Sequence, residues 1–269
     1  MSKRDLFALR YEHLAEVYMK NVLVTGATSG FGRAIALAFI QANYFVVGLG
    51  RRKERLEELE KAYPAQFKPL CVDLQDKKAL EAGIQNILQE KPIHLLVNNA
   101  GLALGLDKAF CAHLDDWETM IETNIKGLVH ITRLVLPSMV ERNEGHIINM
   151  GSIAGTYPYP GGNIYGATKA FVKQFCLNLR ADLADTKIRV SNVEPGLCGG
   201  TEFSHVRFKG DVQRAEELYA HVPYVSPEDI ANVVLWIFEQ PPHVNINRIE
   251  VMPVAQTFSP LYVSKTLED

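Results

Sequence analysis

Tyr165 and Lys169 stand four residues apart in a segment of helical period, a spacing that projects both side chains from one face. A tyrosine near its reference pKa of about 10 is a poor base at neutral pH, and a neighbouring ammonium stabilises its phenolate. Lowering that pKa by about two units takes roughly 2.7 kcal/mol, a plausible yield for a partly desolvated cation. The phenol could then give a proton to a carbonyl or take one from an alcohol. Alone, Y-x-x-x-K is common by chance and is usually a surface pair, so its surroundings matter. Ser152, in Met150-Gly151-Ser152-Ile153, follows an apolar run at the carboxyl edge where open α/β sheets hold ligands. Its hydroxyl could bond a substrate oxygen beside Tyr165, or simply cap a turn. Asn98-Asn99-Ala100-Gly101 ends another run at that edge. Asn124 sits mid-helix in Thr123-Asn124-Ile125, where a low-propensity residue among apolar neighbours needs a reason.

A second constellation lies earlier in the chain. Val22–Thr25 runs directly into Thr25-Gly26-Ala27-Thr28-Ser29-Gly30-Phe31-Gly32, and a helical period follows. Glycines there let a phosphate approach the backbone, while the helix N-terminus offers free N–H groups and the positive end of its dipole. The spacing is G-x-x-x-G-x-G rather than G-x-G-x-x-G. A purely structural turn competes with this reading; the strand before and the helix after favour a nucleotide. The end of the second strand indicates which one. An NAD site places Asp or Glu there, about 20 residues beyond the glycines, for the ribose hydroxyls. This chain instead reads Gly48-Leu49-Gly50-Arg51-Arg52-Lys53, with no carboxylate before Glu54. Two guanidiniums suit a 2′-phosphate, whereas cations without an anion at a helix start oppose the dipole. NADP is expected in preference to NAD.

These groups require a scaffold with several chain segments ending at one edge. Seven apolar runs supply it: Val22–Thr25, Phe45–Leu49, Phe67–Val72, Ile93–Val97, His146–Met150, Arg189–Val193 and Arg248–Met252. Between them lie helical periods over Phe31–Ala42, Lys53–Ala62, Lys77–Glu90, Asp116–Arg142, Tyr165–Ala184 and Pro227–Glu239. Short runs without polar alternation are strands covered on both faces. Their alternation with helices predicts an α/β fold: a single-domain Rossmann fold with a seven-stranded, parallel, doubly wound sheet and helices on both faces. That domain spans residues 21–252. Residues 1–20 form an N-terminal extension, at best a modestly amphipathic helix (Leu6, Leu9, Leu14, Val17), and Met19 is a candidate native start. Residues 199–221 interrupt the pattern as a candidate lid, and 253–269 form a C-terminal tail.

Composition narrows the class. The chain has 269 residues, 47% hydrophobic and 22% charged, with a net charge of −3. These values exclude a disordered chain and a small disulfide scaffold, and no global field draws it to nucleic acid or an anionic membrane. No apolar run approaches the ~20 residues of a membrane span. Cys71, Cys111, Cys176 and Cys198 form no C-x-x-C pair, have no metal-ligand spacing, and read as reduced thiols in buried strand, helix and loop. A cytoplasmic protein without a metal is expected.

The combination of T-G-x-x-x-G-x-G, N-N-A-G, mid-helix Asn, Ser, Y-x-x-x-K and P-G resembles the short-chain dehydrogenase/reductase family over residues 21 to about 252. The resemblance implies a catalytic tetrad of Asn124, Ser152, Tyr165 and Lys169. In it, Tyr165 is the general acid/base and Ser152 holds the substrate oxygen. Lys169 lowers the tyrosine pKa and binds the nicotinamide ribose, while Asn124 supports a water-mediated proton relay. It further implies cofactor contacts along Gly26, Thr28, Ser29, Gly30, Phe31 and Gly32, then Arg51, Arg52, Asp73, Leu74, Asn99 and Gly101, with Pro195, Gly196 and Leu197 flanking the nicotinamide. Hydride transfer is the cofactor's chemistry; the protein supplies position and proton. A homotetramer assembled through the two long helices is also implied.

Within the family, the stretches NNAGLALG, WETMIETNIKGLV, YGATKAFVKQF, EPGLCGGTEFSHVRFKGD and HVNINRIEVMPV are similar to bacterial NADP-dependent 3-hydroxy acid dehydrogenases. Members of that group oxidise L-allo-threonine, serine and related 3-hydroxy acids and reduce malonic semialdehyde. Arg207 and Lys209 could hold a substrate carboxylate, or form a solvated charged loop. Two alternatives accompany this expectation: a reductase of another small aldehyde or ketone, such as sulfoacetaldehyde, and a non-catalytic NADP-sensing protein. The complete tetrad argues against the sensor. After Pro195-Gly196 the family's usual threonine arrives one residue late, at Thr201, behind Gly199-Gly200.

Overall fold

The computed structural model describes residues 19–257, apart from 218 and 221. The expected helix within 1–20 and most of the expected tail lie outside the described residues. Seven strands form: β1 (Asn21–Thr25), β2 (Phe45–Gly50), β3 (Phe67–Cys71), β4 (Leu95–Asn98), β5 (Gly145–Met150), β6 (Ile188–Pro195) and β7 (Arg248–Val251). All pair in parallel in the order β3-β2-β1-β4-β5-β6-β7. The order reverses between β1 and β4, and a crevice opens beyond the carboxyl ends of adjacent strands at such a switch point.

Each strand reads as a continuous apolar run because it serves two cores. Val22, Val24 and Val46 face Ile35 and Phe39 of α1 (Gly30–Gln41), together with Ile230 and Val234 of α9 (Pro227–Glu239). Their neighbours Leu23, Val47 and Leu49 point the other way. They meet Ile84 of α3 (Lys77–Glu90), Ile131 of α5 (Leu128–Arg142) and Val172 of α6 (Asn163–Asp182). The period of two persists, but neither face needs polar residues. Local signals set the helix starts. Asp76 accepts from the Ala79 amide to begin α3. Ser226, Pro227 and Asp229 open α9 with a reciprocal capping box.

Two expectations need correction. The helical period over Asp116–Arg142 is not one helix. It divides into α4 (Leu114–Ile121), a π-helical segment at Glu122–Gly127, and α5. Such segments are single wide turns inside α-helices, and this one carries Asn124. Cys71 is exposed rather than buried, because β3 is the edge strand and pairs only with β2. Within the interruption expected over 199–221, α7 (Phe203–Arg207) and α8 (Val212–Glu217) form, while α2 (Lys53–Ala62) follows β2 as expected. No helix among the described residues is long and apolar enough to cross a membrane.

Candidate active site

The turn after β1 is tied to the turn after β4 by side chains of both. The Thr25 hydroxyl accepts from the Asn99 and Ala100 amides, each at 2.9 Å, and Asn99 Nδ2 donates to the Thr25 carbonyl at 2.8 Å. Gly26 adopts φ +71° between these turns, a conformation that side chains rarely take. At Gly32 the requirement is space instead. A Cβ there would lie 2.2 Å from the Gly26 carbonyl oxygen, so only glycine lets α1 start this close to the strand. Ser29, the N-cap of α1, makes no side-chain bond to the first turn. The opening amides therefore lack a side-chain cap.

Beside this turn the chain gathers guanidiniums. Arg52 donates through Nε to Thr28 Oγ1 at 3.1 Å and through Nη2 to Ser29 Oγ at 2.6 Å. Its Nη1 donates to Glu202 Oε2 at 2.6 Å, and Arg55 Nη2 donates to Glu202 Oε1 at 2.8 Å. The hydrogen bonds from Arg55 and Arg52 hold the Glu202 carboxyl down to about 2. Arg51 stands apart at the surface, paired with Asp73 at 3.4 Å. The donor set fits a dinucleotide carrying a 2′-phosphate: a glycine turn without a side-chain cap, and two arginines already converging on an anion.

At the other end stand Ser152, Tyr165 and Lys169. Ser152 follows β5; its Oγ accepts from the Ala154 amide at 3.1 Å and donates to the Pro195 carbonyl at 3.4 Å. Lys169 Nζ donates to the Met150 carbonyl at 2.7 Å and lies 5.9 Å from the centre of the Tyr165 ring. Both α6 side chains are buried. Burial pushes the Tyr165 phenol up to about 12, opposed by a hydrogen bond with Ser152 and the charge of Arg207. Burial also brings the Lys169 ammonium down to about 8. The expected lysine-depressed tyrosine is therefore not found in the chain by itself. Desolvation outweighs charge here, and the ammonium is engaged by a carbonyl.

Asn124 is buried behind the site. Its Oδ1 accepts from the Leu102 amide, and its Nδ2 donates to the Leu102 carbonyl and to Thr168 Oγ1. This side chain fastens the loop after β4 to α6 one residue before Lys169, which is the reason its mid-helix position needed.

Arg207, at the end of α7, reaches across to that loop. Its Nη2 donates to the Tyr159 hydroxyl at 2.8 Å and its Nε to the Gly105 carbonyl at 3.2 Å. The guanidinium carbon lies 5.6 Å from the centre of the Tyr165 ring. Lys209, two residues on, has φ +52° and pairs with Asp116 at 2.8 Å.

One cleft of about 760 Å³ joins the arginine pocket to the Ser152–Tyr165–Lys169 group. Gly26, Thr28, Ser29, Gly30 and Phe31 border one end, with Arg51, Arg52, Asp73 and Leu74 beside them. Asn99 and Gly101 border its middle, and Pro195, Gly196, Leu197, Thr201 and Arg207 its far wall. Gly32, Asn124 and Lys209 do not border it: the first two support it from behind, and the third is bound elsewhere. Sequence reasoning missed Arg55, Glu202 and Tyr159. Arg55 had a signal, since it sits three residues after Arg52 and shares its helix face. Glu202 and Tyr159 had none, because their partners lie far along the chain.

Comparison with known proteins finds relatives over most of the chain. The family model described as short chain dehydrogenase matches residues 20–211. A probable NADP-dependent dehydrogenase of Haemophilus influenzae is 64% identical over 245 residues, covering 90% of this chain and 97% of that protein. An NADP-dependent 3-hydroxy acid dehydrogenase of Escherichia coli is 54% identical over 245 residues, covering 91% and 99%. The solved closed form of a serine dehydrogenase complexed with NADP+ superimposes with a TM-score of 0.88 at 52% identity, covering 91% of this chain and all of that one.

Proposed function

Because the chain belongs to the short-chain dehydrogenase family, we propose that it is an NADP-dependent oxidoreductase interconverting a hydroxyl and a carbonyl on a small 3-hydroxy acid. The observation that carries this reading is the single cleft with an arginine pocket at one end and Ser152, Tyr165 and Lys169 at the other. NADP, when bound, supplies the hydride chemistry. The Tyr165 hydroxyl gives its proton to the carbonyl oxygen in reduction and takes one from the alcohol in oxidation. Ser152 Oγ, within the same cleft, holds that oxygen. Lys169 carries its charge 5.9 Å from the centre of the phenol ring, where it counters part of the rise that burial imposes on Tyr165. Asn124 keeps α6 and the loop after β4 in register. Arg52 and Arg55 take the 2′-phosphate.

Arg207 supports an acidic substrate. It is a guanidinium beside the Tyr165 ring whose side-chain partners are a hydroxyl and a carbonyl rather than a carboxylate. A substrate carboxylate there would find charge-assisted donors. Serine, L-allo-threonine and 3-hydroxypropionate, the alcohol of malonic semialdehyde, carry that group. A sulfonate presents similar oxygens, so the same guanidinium favours sulfoacetaldehyde as the second substrate class. Residues 199–221 act as a lid on the far wall.

The test is NADP+ reduction across serine, allo-threonine, 3-hydroxypropionate and isethionate. Turnover of one or more carboxylate alcohols is expected. Turnover of isethionate alone would transfer the assignment to sulfonates, and binding of NADPH with no turnover of any substrate would leave a sensor.

Assembly as a homotetramer and a cytoplasmic location belong to the same reading. Val140 on α5 and Leu177 on α6 leave apolar surface on the helices that would pair. Exposed free thiols at Cys71 and Cys111 suit a reducing compartment.

A further inference from the structure

The Glu202 carboxylate bridges Arg52 and Arg55, two residues that lie 150 and 147 positions away in sequence. Arg52 is engaged at every nitrogen, by Thr28 Oγ1, Ser29 Oγ and Glu202 Oε2. The arginine fork is therefore already filled by an anion that the chain provides itself. A 2′-phosphate at the same fork would bring a second, doubly charged anion against the carboxylate. Like charges sharing one set of donors disfavour each other, so one must leave.

We propose that Glu202 is a specificity-determining residue that competes with the 2′-phosphate of the cofactor for Arg52 and Arg55. This rests on the NADP reading above. Glu202 holds the fork in the free protein, and nucleotide binding displaces its side chain. The displacement requires no movement of α7. The Glu202 carbonyl begins that helix by accepting from the Val206 amide, and Arg207 holds its far end to Gly105 and Tyr159. The carboxylate and both guanidiniums keep about two fifths of their side-chain surface in solvent, so water screens the pairs and the competitor is modest. A nucleotide without the 2′-phosphate never contests the fork and is indifferent to Glu202.

Binding of 2′,5′-ADP and 5′-AMP to wild type, Glu202→Gln and Glu202→Ala, measured calorimetrically, tests this without any turnover. Two exposed ion pairs correspond to a roughly three- to tenfold gain in 2′,5′-ADP affinity in both variants. The 5′-AMP affinity should stay unchanged and serves as the control for folding. If 2′,5′-ADP affinity is unchanged or falls while wild type still prefers it over 5′-AMP, Glu202 does not compete, and the NADP reading survives. Equal binding of the two nucleotides by wild type would remove the phosphate site itself, and both readings with it.

Discussion

Two regions meet across the cleft and are held by different physics. The carboxyl edge of β1, β4 and β5 is tied by short, largely buried bonds to the backbone, such as Thr25 to Asn99, Asn124 to Leu102 and Lys169 to Met150. Residues 199–217 face it through charged side chains at half-exposed positions: Glu202 to two arginines, Arg207 to Gly105 and Tyr159, and Lys209 to Asp116. Buried bonds are not weakened by salt or exchanged with water, whereas exposed charge pairs are. Proton chemistry needs fixed positions, while binding and releasing anions needs donors that can exchange partners. Under the proposed function, the division of the cleft matches that requirement.

The largest expected effect falls on the buried side. Tyr165→Phe keeps the ring and removes the proton, so kcat should fall by roughly 10²–10⁴-fold while NADPH affinity holds. Retained turnover would show that the proton travels elsewhere and that the buried edge is only a frame.

Next is Lys169, whose burial has a cost in stability. Its pKa falls from 10.5 to about 8 on folding. Between these values the unfolded chain binds more protons than the folded one, so stability rises with pH across that window. The displacement corresponds to on the order of 3 kcal/mol. Tyr165, raised from 10.0 to about 12, acts in the opposite sense and only above pH 10. The buried thiols Cys176 and Cys198, raised from 9.0 to about 12, pull stability down from about pH 9 in both proteins, so in urea unfolding from about pH 8 to 10 wild type should gain stability relative to Lys169→Met. Parallel curves would mean that the ammonium is better solvated than its burial suggests.

On the charged side, Arg207→Ala should raise KM for carboxylate substrates by roughly 10–100-fold, the value of charged hydrogen bonds, and change KM for neutral alcohols far less. Equal effects on both would make Arg207 a strut between α7 and the loop after β4. The smallest effect is expected at Lys209→Ala. A single pair whose lysine is more than half exposed is worth about 1 kcal/mol, so the melting temperature should move slightly and KM not at all. A KM change matching that of Arg207 would erase the distinction between the two cations.

Much of the sheet was legible because its signals are local. All seven strands and five of the helices lie within two residues of their expected bounds, since apolar runs and helical periods are properties of adjacent residues. The glycine turn was legible for the same reason. The interruption of the long helix at Glu122–Gly127 was not, because a π-turn preserves helical composition and only changes how the backbone closes. Arg207 and Lys209 were indistinguishable as basic residues two apart. A left-handed backbone at Lys209 and an acidic partner on α4 separate them. Arg52 was legible as a cation at the end of the second strand, but its occupation by Glu202 was not.

The sequence by itself determined the doubly wound sheet, the glycine turn at its first strand and the preference for NADP, because each is written in residue type and spacing along the chain. Only the tertiary structure decided the directions in which burial shifts Tyr165 and Lys169, the carboxylate standing in the arginine fork, and which cation reaches the cleft. Desolvation and charge pairing depend on groups that are neighbours in space and distant in sequence.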